Sequence, residues 1–243
     1  MKIIDAHCHL YKFSNLEIKR ILNKYNNDII ILSVSEDIES SIKNLTLGKL
    51  YENIIPTIGI HPWNIENVRE KDIEILEKIV KDEKIKILGE VGLDKKFKPE
   101  TFDKQKEFFE KILNIAKEYD LSLNIHSPNA SEDVFNLLLK YDIKKAYFHW
   151  YSGDEKLLKE IEEKGYLIGI NVATIINKKY EKYIEISKID NIITESDGLY
   201  EYKGIILHPD MLEDLYKIIS KIKNIDIHDL SNRILHNFTK LLY

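Results

Sequence analysis

The chain holds one cysteine in 243 residues. Cys8 therefore has no internal disulfide partner, which fits a reducing compartment. Arginine is nearly as scarce, with Arg20, Arg69 and Arg233 the only guanidinium groups. Bidentate grips on phosphate are few, so phosphate contact has to come from lysine or from a metal ion. No apolar run approaches the roughly eighteen residues of a membrane-spanning helix, and the opening MKIIDAHCHL lacks a signal-peptide core. A cytoplasmic location with no membrane partner is expected. A net charge of -5 gives no sign of a wholesale basic face for duplex DNA. A Gly-rich phosphate turn is missing too: the run near Val34 ends in Ser33-Val34-Ser35-Glu36, not GxGxxG or GxxxxGK. No repeat, linker or low-complexity tract breaks the chain, and nothing signals an obligate protein partner.

What is present is an alternation of two periodicities. Short β-branched runs predict strands at Lys2–Asp5, Asp28–Val34, Asn53–Ile60, Ile85–Glu90, Leu121–His126, Lys144–His149, Tyr166–Ile170 and Asn191–Glu195. Helical spacing falls between them, at Leu16–Tyr25, Asp37–Lys49, Asp72–Lys81, Glu132–Lys140, Glu155–Lys164, Lys178–Ser187 and Met211–Ile222, with a last helix from about His228 to Leu242. The clearest stripe is Phe102, Gln105, Phe109, Ile112, Ala116 and Tyr119. Ser152 with Glu155 has capping-box spacing, Pro209 suits a first helical turn, and Gly165 suits a left-handed helix end. Strands separated by crossover helices pair in parallel. The fold expected is α/β, a (β/α)8 TIM barrel forming one domain over residues 1–243, with an open doubly wound sheet as the alternative.

Ionisable residues recur where the apolar runs end. Asp5, His7 and His9 close the first run, and Glu90, His126, His149 and Asp197 close later ones. A core has little use for ionisable groups there, and a divalent metal has a direct use for them. In an extended segment residues 5, 7 and 9 project to one side, so His7 and His9 reach one ion. Asp5 either adds a ligand or orients a histidine. Glu90, with two oxygens, can bridge two cations, which one imidazole nitrogen cannot. His126 and His149 form a natural pair for a second metal. Asp197, on the strand that closes beside the first, touches the first metal and takes a proton from water, and Glu195 supports it. Glu90 and Asp197 are the catalytic candidates. His61 and Asp94 are expected to contact substrate or orient ligands, while His208 is ambiguous and His228 and His236 lie far from strand ends. Lys95 and Lys96 follow Asp94 at the predicted mouth and offer charge to a phosphate, and Trp63, Phe97, Trp150 and Tyr151 offer rings to a base. A solvated lysine-rich loop reads as well from the same residues.

These residues resemble the TatD family of metal-dependent hydrolases in the amidohydrolase-like superfamily. The resemblance rests on Asp5-Ala6-His7-Cys8-His9, Gly59-Ile60-His61-Pro62, Gly89-Glu90-Val91-Gly92-Leu93-Asp94, Phe148-His149-Trp150-Tyr151-Ser152-Gly153 and Glu195-Ser196-Asp197, in the family's order. It implies a barrel whose ligands are His7, His9, Glu90, His126, His149 and Asp197, and a DNase or 3′–5′ exonuclease-like phosphodiesterase supported by magnesium or manganese. The partner implied is a single-stranded DNA end or a small phosphodiester. Trp63 stands where the family often has histidine, Pro128 where arginine is usual after the fifth-strand histidine, and Lys95 where an aromatic is common. The inner shell matches and the outer shell departs. The cofactor expected is one or two divalent ions, Mg, Mn or Zn. Metal-activated water attacks a carbonyl as readily as phosphorus, so a zinc amidohydrolase or lactonase is the enzyme alternative, and a non-catalytic metal-binding protein is the alternative of another class.

Overall fold

The computed structural model describes residues 1–243. Eight parallel strands follow one another around the core: β1 Ile3–Cys8, β2 Ile29–Ser33, β3 Ile54–Pro56, β4 Ile87–Gly92, β5 Ser122–His126, β6 Ala146–Phe148, β7 Leu167–Asn171 and β8 Ile192–Glu195. Outside them run α1 Asn15–Lys24, α2 Ile38–Leu50, α3 Glu70–Glu83, α4 Phe102–Glu118, α5 Ser131–Lys140, α6 Glu155–Glu163, α7 Ala173–Ile176, α8 Glu181–Ile186, α9 Leu212–Lys223 and α10 Ile227–Leu242. Regular ladders join β1 to β3 and β4 to β8. Two seams complete the (β/α)8 barrel by other means. At one, Ile58 bridges Leu88 in parallel and the Gly89 N–H donates to the Ile58 carbonyl at 2.8 Å. At the other, Thr194 Oγ1 donates to the Ile4 carbonyl at 2.7 Å and Asp197 N–H to the His7 carbonyl at 2.7 Å. Tyr216 of α9 reaches into this second seam, where its hydroxyl accepts the Ile4 N–H at 3.0 Å. The strands read as continuous apolar runs because both faces are covered.

Several boundaries differ from the sequence expectation. The third strand stops at Pro56 instead of continuing to Ile60: one more bond joins the Thr57 N–H to the Ser33 carbonyl at 3.0 Å, and the chain then steps across to Leu88. The helix expected over Lys178–Ser187 starts as a 3-10 turn at Lys178–Tyr180 before α8. Ser152 does not cap α6. Asp154 does, its Oδ1 accepting the N–H groups of Lys156 and Leu157 at 2.8 and 3.2 Å, which a carboxylate at a helix start does well. Pro209 opens a 3-10 turn into α9, and Gly165 sits at φ +86° just beyond α6. A two-stranded hairpin, β9 Glu201–Tyr202 with β10 Ile205–Ile206, was not expected. Its turn is Lys203-Gly204, both at positive φ, the geometry that matches strand twist in a two-residue loop.

Candidate metal centre

The C-terminal ends of the strands converge on Glu90. Gly92, two residues on, has φ +146°, and a Cβ there would lie 2.0 Å from the His126 carbonyl, so only glycine lets β4 press this closely on β5. The two Glu90 oxygens face two groups of imidazoles. Oε2 is 3.3 Å from His7 Nε2 and 3.7 Å from His9 Nε2. Asp197 Oδ1 completes that group, 3.7 Å from His7 Nε2 and 3.3 Å from His9 Nε2. Oε1 is 2.8 Å from His126 Nδ1, 3.1 Å from His149 Nε2 and 3.3 Å from His61 Nε2. All of these side chains are buried. Asp197 reaches inward from a left-handed backbone at φ +55°, a conformation an aspartate tolerates better than most residues.

The groups behind each imidazole decide which nitrogen faces inward. Asn124 Nδ2 donates to the Ala6 carbonyl at 3.1 Å, which turns its Oδ1 to His7 Nδ1 at 3.0 Å. His7 therefore keeps a proton on Nδ1, which leaves Nε2 as the atom that would face a cation. Asp94 Oδ2 takes the His126 Nε2 proton at 2.8 Å, freeing His126 Nδ1 toward Glu90. Glu195 Oε1 lies 3.5 Å from His149 Nδ1, and Glu36 Oε1 lies 3.6 Å from His9 Nδ1. Carboxylates and amides in these places orient ligand histidines and raise their basicity. His61 is different. Its Nδ1 accepts the Trp63 backbone N–H at 3.2 Å, so its proton sits on Nε2. The donor atoms cluster as His7–His9–Asp197, His7–Glu90–His149 and His61–Glu90–His126; in the last set this tautomer makes His61 a hydrogen-bond donor and not a ligand.

The charge pattern fits a divalent cation. His7 Nε2 is buried with no hydrogen-bond partner, aimed between two carboxylates. Burial alone would lower its pKa, yet Glu90, Asp197 and Glu195 push it up to about 10. The cluster draws positive charge to that point. Asp197, also buried, is nevertheless held below the usual carboxylate range by His9, His7 and His149. Burial, with the His7 imidazole adding to it, drops His149 to about 4, which keeps it neutral as a ligand must be. Imidazole nitrogens mixed with carboxylate oxygens suit manganese, zinc, iron or magnesium.

The remaining sequence expectations divide. Asp5 does not join the donor groups. The strand register shifts after it, and its Oδ1 accepts the Ser196 N–H at 2.8 Å, tying β1 to the segment that carries Asp197. Asp94 is fully buried, accepting from Trp63 Nε1 at 2.6 Å and from the Lys96 and Phe97 N–H groups at 2.8 and 2.7 Å. Lys95 points away, its Nζ 2.6 Å from Asp133, so only Lys96 of that pair lines the cavity. Tyr151 is buried with its hydroxyl on the Asp154 carbonyl at 2.7 Å and offers no ring to the mouth. Trp63, Phe97 and Trp150 do line it. His208 lies outside, with Nδ1 accepting the Asp210 N–H at 3.0 Å, and His228 and His236 are exposed on α10. Cys8 is buried beside the Gly198 carbonyl at 3.5 Å. Sequence reasoning missed Asn124, Glu36 and Gly169. A Cβ on Gly169 would stand 2.5 Å from Glu195 Oε2, so this glycine makes room for the carboxylate behind His149. The Leu123-Asn124-Ile125 triplet carried a signal, a buried amide in an otherwise apolar strand.

Fold and donor set together define a barrel hydrolase built around divalent metal. A family model described as TatD related DNase matches residues 4–243. The metal-dependent hydrolase MJ1582 of Methanocaldococcus jannaschii is 30% identical over 99% of this chain and 96% of its own length. Among solved structures, the TatD homologue YjjV of Escherichia coli superposes with a TM-score of 0.89 at 21% identity, covering 99% of this chain and 97% of that one. A TatD family hydrolase of Entamoeba histolytica gives 0.85 at 18% identity, covering 100% and 98%. The chain belongs to the TatD family of metal-dependent hydrolases.

Proposed function

We propose that the protein hydrolyses phosphodiester bonds, in the manner of a DNase or 3′–5′ exonuclease acting on a single-stranded end or on a small phosphodiester. The observation that carries this reading is the division of Glu90. Oε2 lies nearest His7 and His9, which Asp197 joins, and Oε1 nearest His126, His149 and His61, so the carboxylate is shared between the sets His7–Glu90–His149 and His61–Glu90–His126 beside His7–His9–Asp197. Two donor groups joined by one carboxylate suit a pair of cations, and a pair clamps both ends of an in-line displacement at phosphorus. His7, His9 and Asp197 would hold one ion, His126 and His149 the other, with Glu90 between them. A divalent ion bound there supplies Lewis acidity, lowering the pKa of water and neutralising charge on phosphoryl oxygens.

The protein's own groups do the rest. Asp197, whose Oδ1 faces His7 and His9, has a second carboxylate oxygen to take a proton from the attacking water. His61 presents Nε2–H to the same space and donates to a phosphoryl or leaving-group oxygen. Asp94 and Asn124 hold their histidines in one tautomer, so little rearrangement is needed before the reaction. Lys96 is the one free lysine of the Asp94 loop at the cavity.

The reading is tested by assaying metal-exchanged protein on phosphodiesters beside a panel of lactones and amides. Turnover of the diesters with magnesium or manganese is expected. Turnover confined to carbonyl substrates with zinc would replace it with the amidohydrolase reading, and metal bound with no turnover in either panel would leave a binding protein.

A further inference from the structure

The cavity over the metal centre, about 750 Å³, has two features in its lining. One is aromatic. Trp150 is met edge-on by Tyr200 at 5.7 Å, Tyr202 at 5.4 Å and Tyr180 at 6.1 Å. Three features fix it in place. Trp150 follows His149 directly, its N–H donates to Glu195 Oε1 at 2.7 Å, and its backbone is left-handed at φ +40°. Bulky residues avoid that region, and its use here points to a ring whose position matters. The unexpected hairpin supplies Tyr202, whose hydroxyl accepts from Asn177 Nδ2 at 2.9 Å.

The second feature is charge. Outside the donor groups the cavity is lined by Lys96 and Lys156 against Glu36, Glu132, Asp154 and Glu160. Arg20 and Arg233 are paired with Asp210 and Asp190, and none of the three arginines lines the cavity. A strand of nucleic acid is held chiefly by lysine and arginine on successive phosphates. A lining with four such carboxylates to two lysines, one of them 3.8 Å from Glu160, offers few free cations to successive phosphates. A planar ring has no such cost, and base–aromatic stacking needs no charge.

We infer that the site selects a compact phosphodiester, with one phosphate at the metal centre and a nucleobase or similar planar ring on the Trp150–Tyr200–Tyr202 wall, over an extended polynucleotide. This rests on the phosphodiester reading and narrows it.

Two esters with the same leaving group test it: thymidine 5′-(p-nitrophenyl) phosphate and methyl p-nitrophenyl phosphate. Wild-type kcat/KM should favour the thymidine ester by about tenfold, within the range one stacked base contributes. Trp150→Ala should bring that ratio near one, mainly through KM. Tyr200→Ala, which removes a ring already 39% exposed, should reduce it in smaller measure and guards against misfolding of the first variant. A ratio near one in wild type, or one unchanged in both variants, overturns the inference. A binding readout stands apart from turnover. In Trp63→Phe protein Trp150 is the sole tryptophan, and thymidine should quench its emission; no quenching contradicts the assignment. Raising salt from 50 to 200 mM should change kcat/KM on a twelve-nucleotide strand by less than about threefold, whereas several phosphate contacts would cost orders of magnitude. A steep salt loss, with preference for the longer strand, overturns the inference. No turnover of either diester by metal-loaded enzyme would instead sink the phosphodiester reading, a separate outcome.

Discussion

The inner donor groups and the outer mouth are built by opposite means. Inside, two imidazoles are held by hydrogen bonds from other parts of the barrel, His7 by Asn124 of β5 and His126 by Asp94 beyond β4, and His149 has Glu195 of β8 at 3.5 Å. Every one of these residues is buried, and their partners leave little freedom of rotation. At the mouth the side chains come from loops, a 3-10 turn and a hairpin, and the lysines mostly pair with nearby carboxylates at the surface. The difference separates chemistry from selection. Groups that must meet a cation and a reacting atom need strand-borne precision, and at the mouth only Trp150, directly after β6 and tied to Glu195, shares that anchoring.

Substitutions across the two regions should differ in kind as well as size. Asp197→Asn removes the proton acceptor and one anionic donor. It should lower kcat by about 10²–10⁴-fold, read by steady-state kinetics at saturating metal. Asp94→Asn touches no cation but weakens the acceptor that fixes His126, and should cost about 10–100-fold in metal affinity, measured by competition with a chromophoric chelator. An unchanged affinity would show that the Asp94–His126 pair only shapes the loop. Gly169→Ala pushes a methyl against Glu195, Tyr147 and the Trp150 nitrogen, and should destabilise the fold by about 1–3 kcal/mol in urea unfolding. Lys95→Ala breaks an exposed pair with Asp133, worth about 0–1 kcal/mol, and should alter kcat/KM less than twofold. A large kinetic loss there would erase the contrast between the regions.

Acid stability sharpens the same comparison. Burial would raise the Asp94 pKa, but the His126 hydrogen bond, with backbone N–H donors and Trp63, outweighs it and lowers the group from 3.8 to about 2. A depressed carboxylate stabilises the fold above its unfolded pKa and loses that contribution as pH falls through the folded value. Unfolding midpoints of chelated protein should therefore drop between about pH 4 and pH 2, and Asp94→Asn should flatten that drop.

Much of the barrel was legible because the strands are largely buried apolar runs and five of them end at or beside an ionisable residue, His7 and His9, Glu90, His126, His149 and Asp197. His7, Glu90, His149 and Asp197 announced themselves by standing where a core residue would otherwise be. Of the groups behind them, Asp94 and Glu195 were expected, whereas Asn124 and Glu36 were not. Asn124 and Glu36 are ordinary polar residues until the fold sets them against His7 and His9, distant in sequence, and no local pattern encodes that pairing. Alternation left Asp5 open between a ligand and a supporting role, and the structure gives it a supporting one, its Oδ1 on the Ser196 N–H after a register shift in β1. Lys95 and Tyr151 were placed at the mouth by proximity to Asp94 and His149. Their directions were set instead by Asp133 and by the Asp154 carbonyl. The hairpin escaped notice because Lys-Gly is a weaker turn signal than Asn-Gly and two-residue strands carry almost no periodicity.

The most direct measurement is the metal content of gently purified wild-type and Glu90→Ala protein, determined by elemental analysis with turnover assayed on the same samples. Two divalent ions per chain in the wild type, with both metal and hydrolysis falling together in the variant, are expected. Full metal and wild-type turnover in Glu90→Ala would contradict the assignment of that carboxylate as the bridge between the two donor groups.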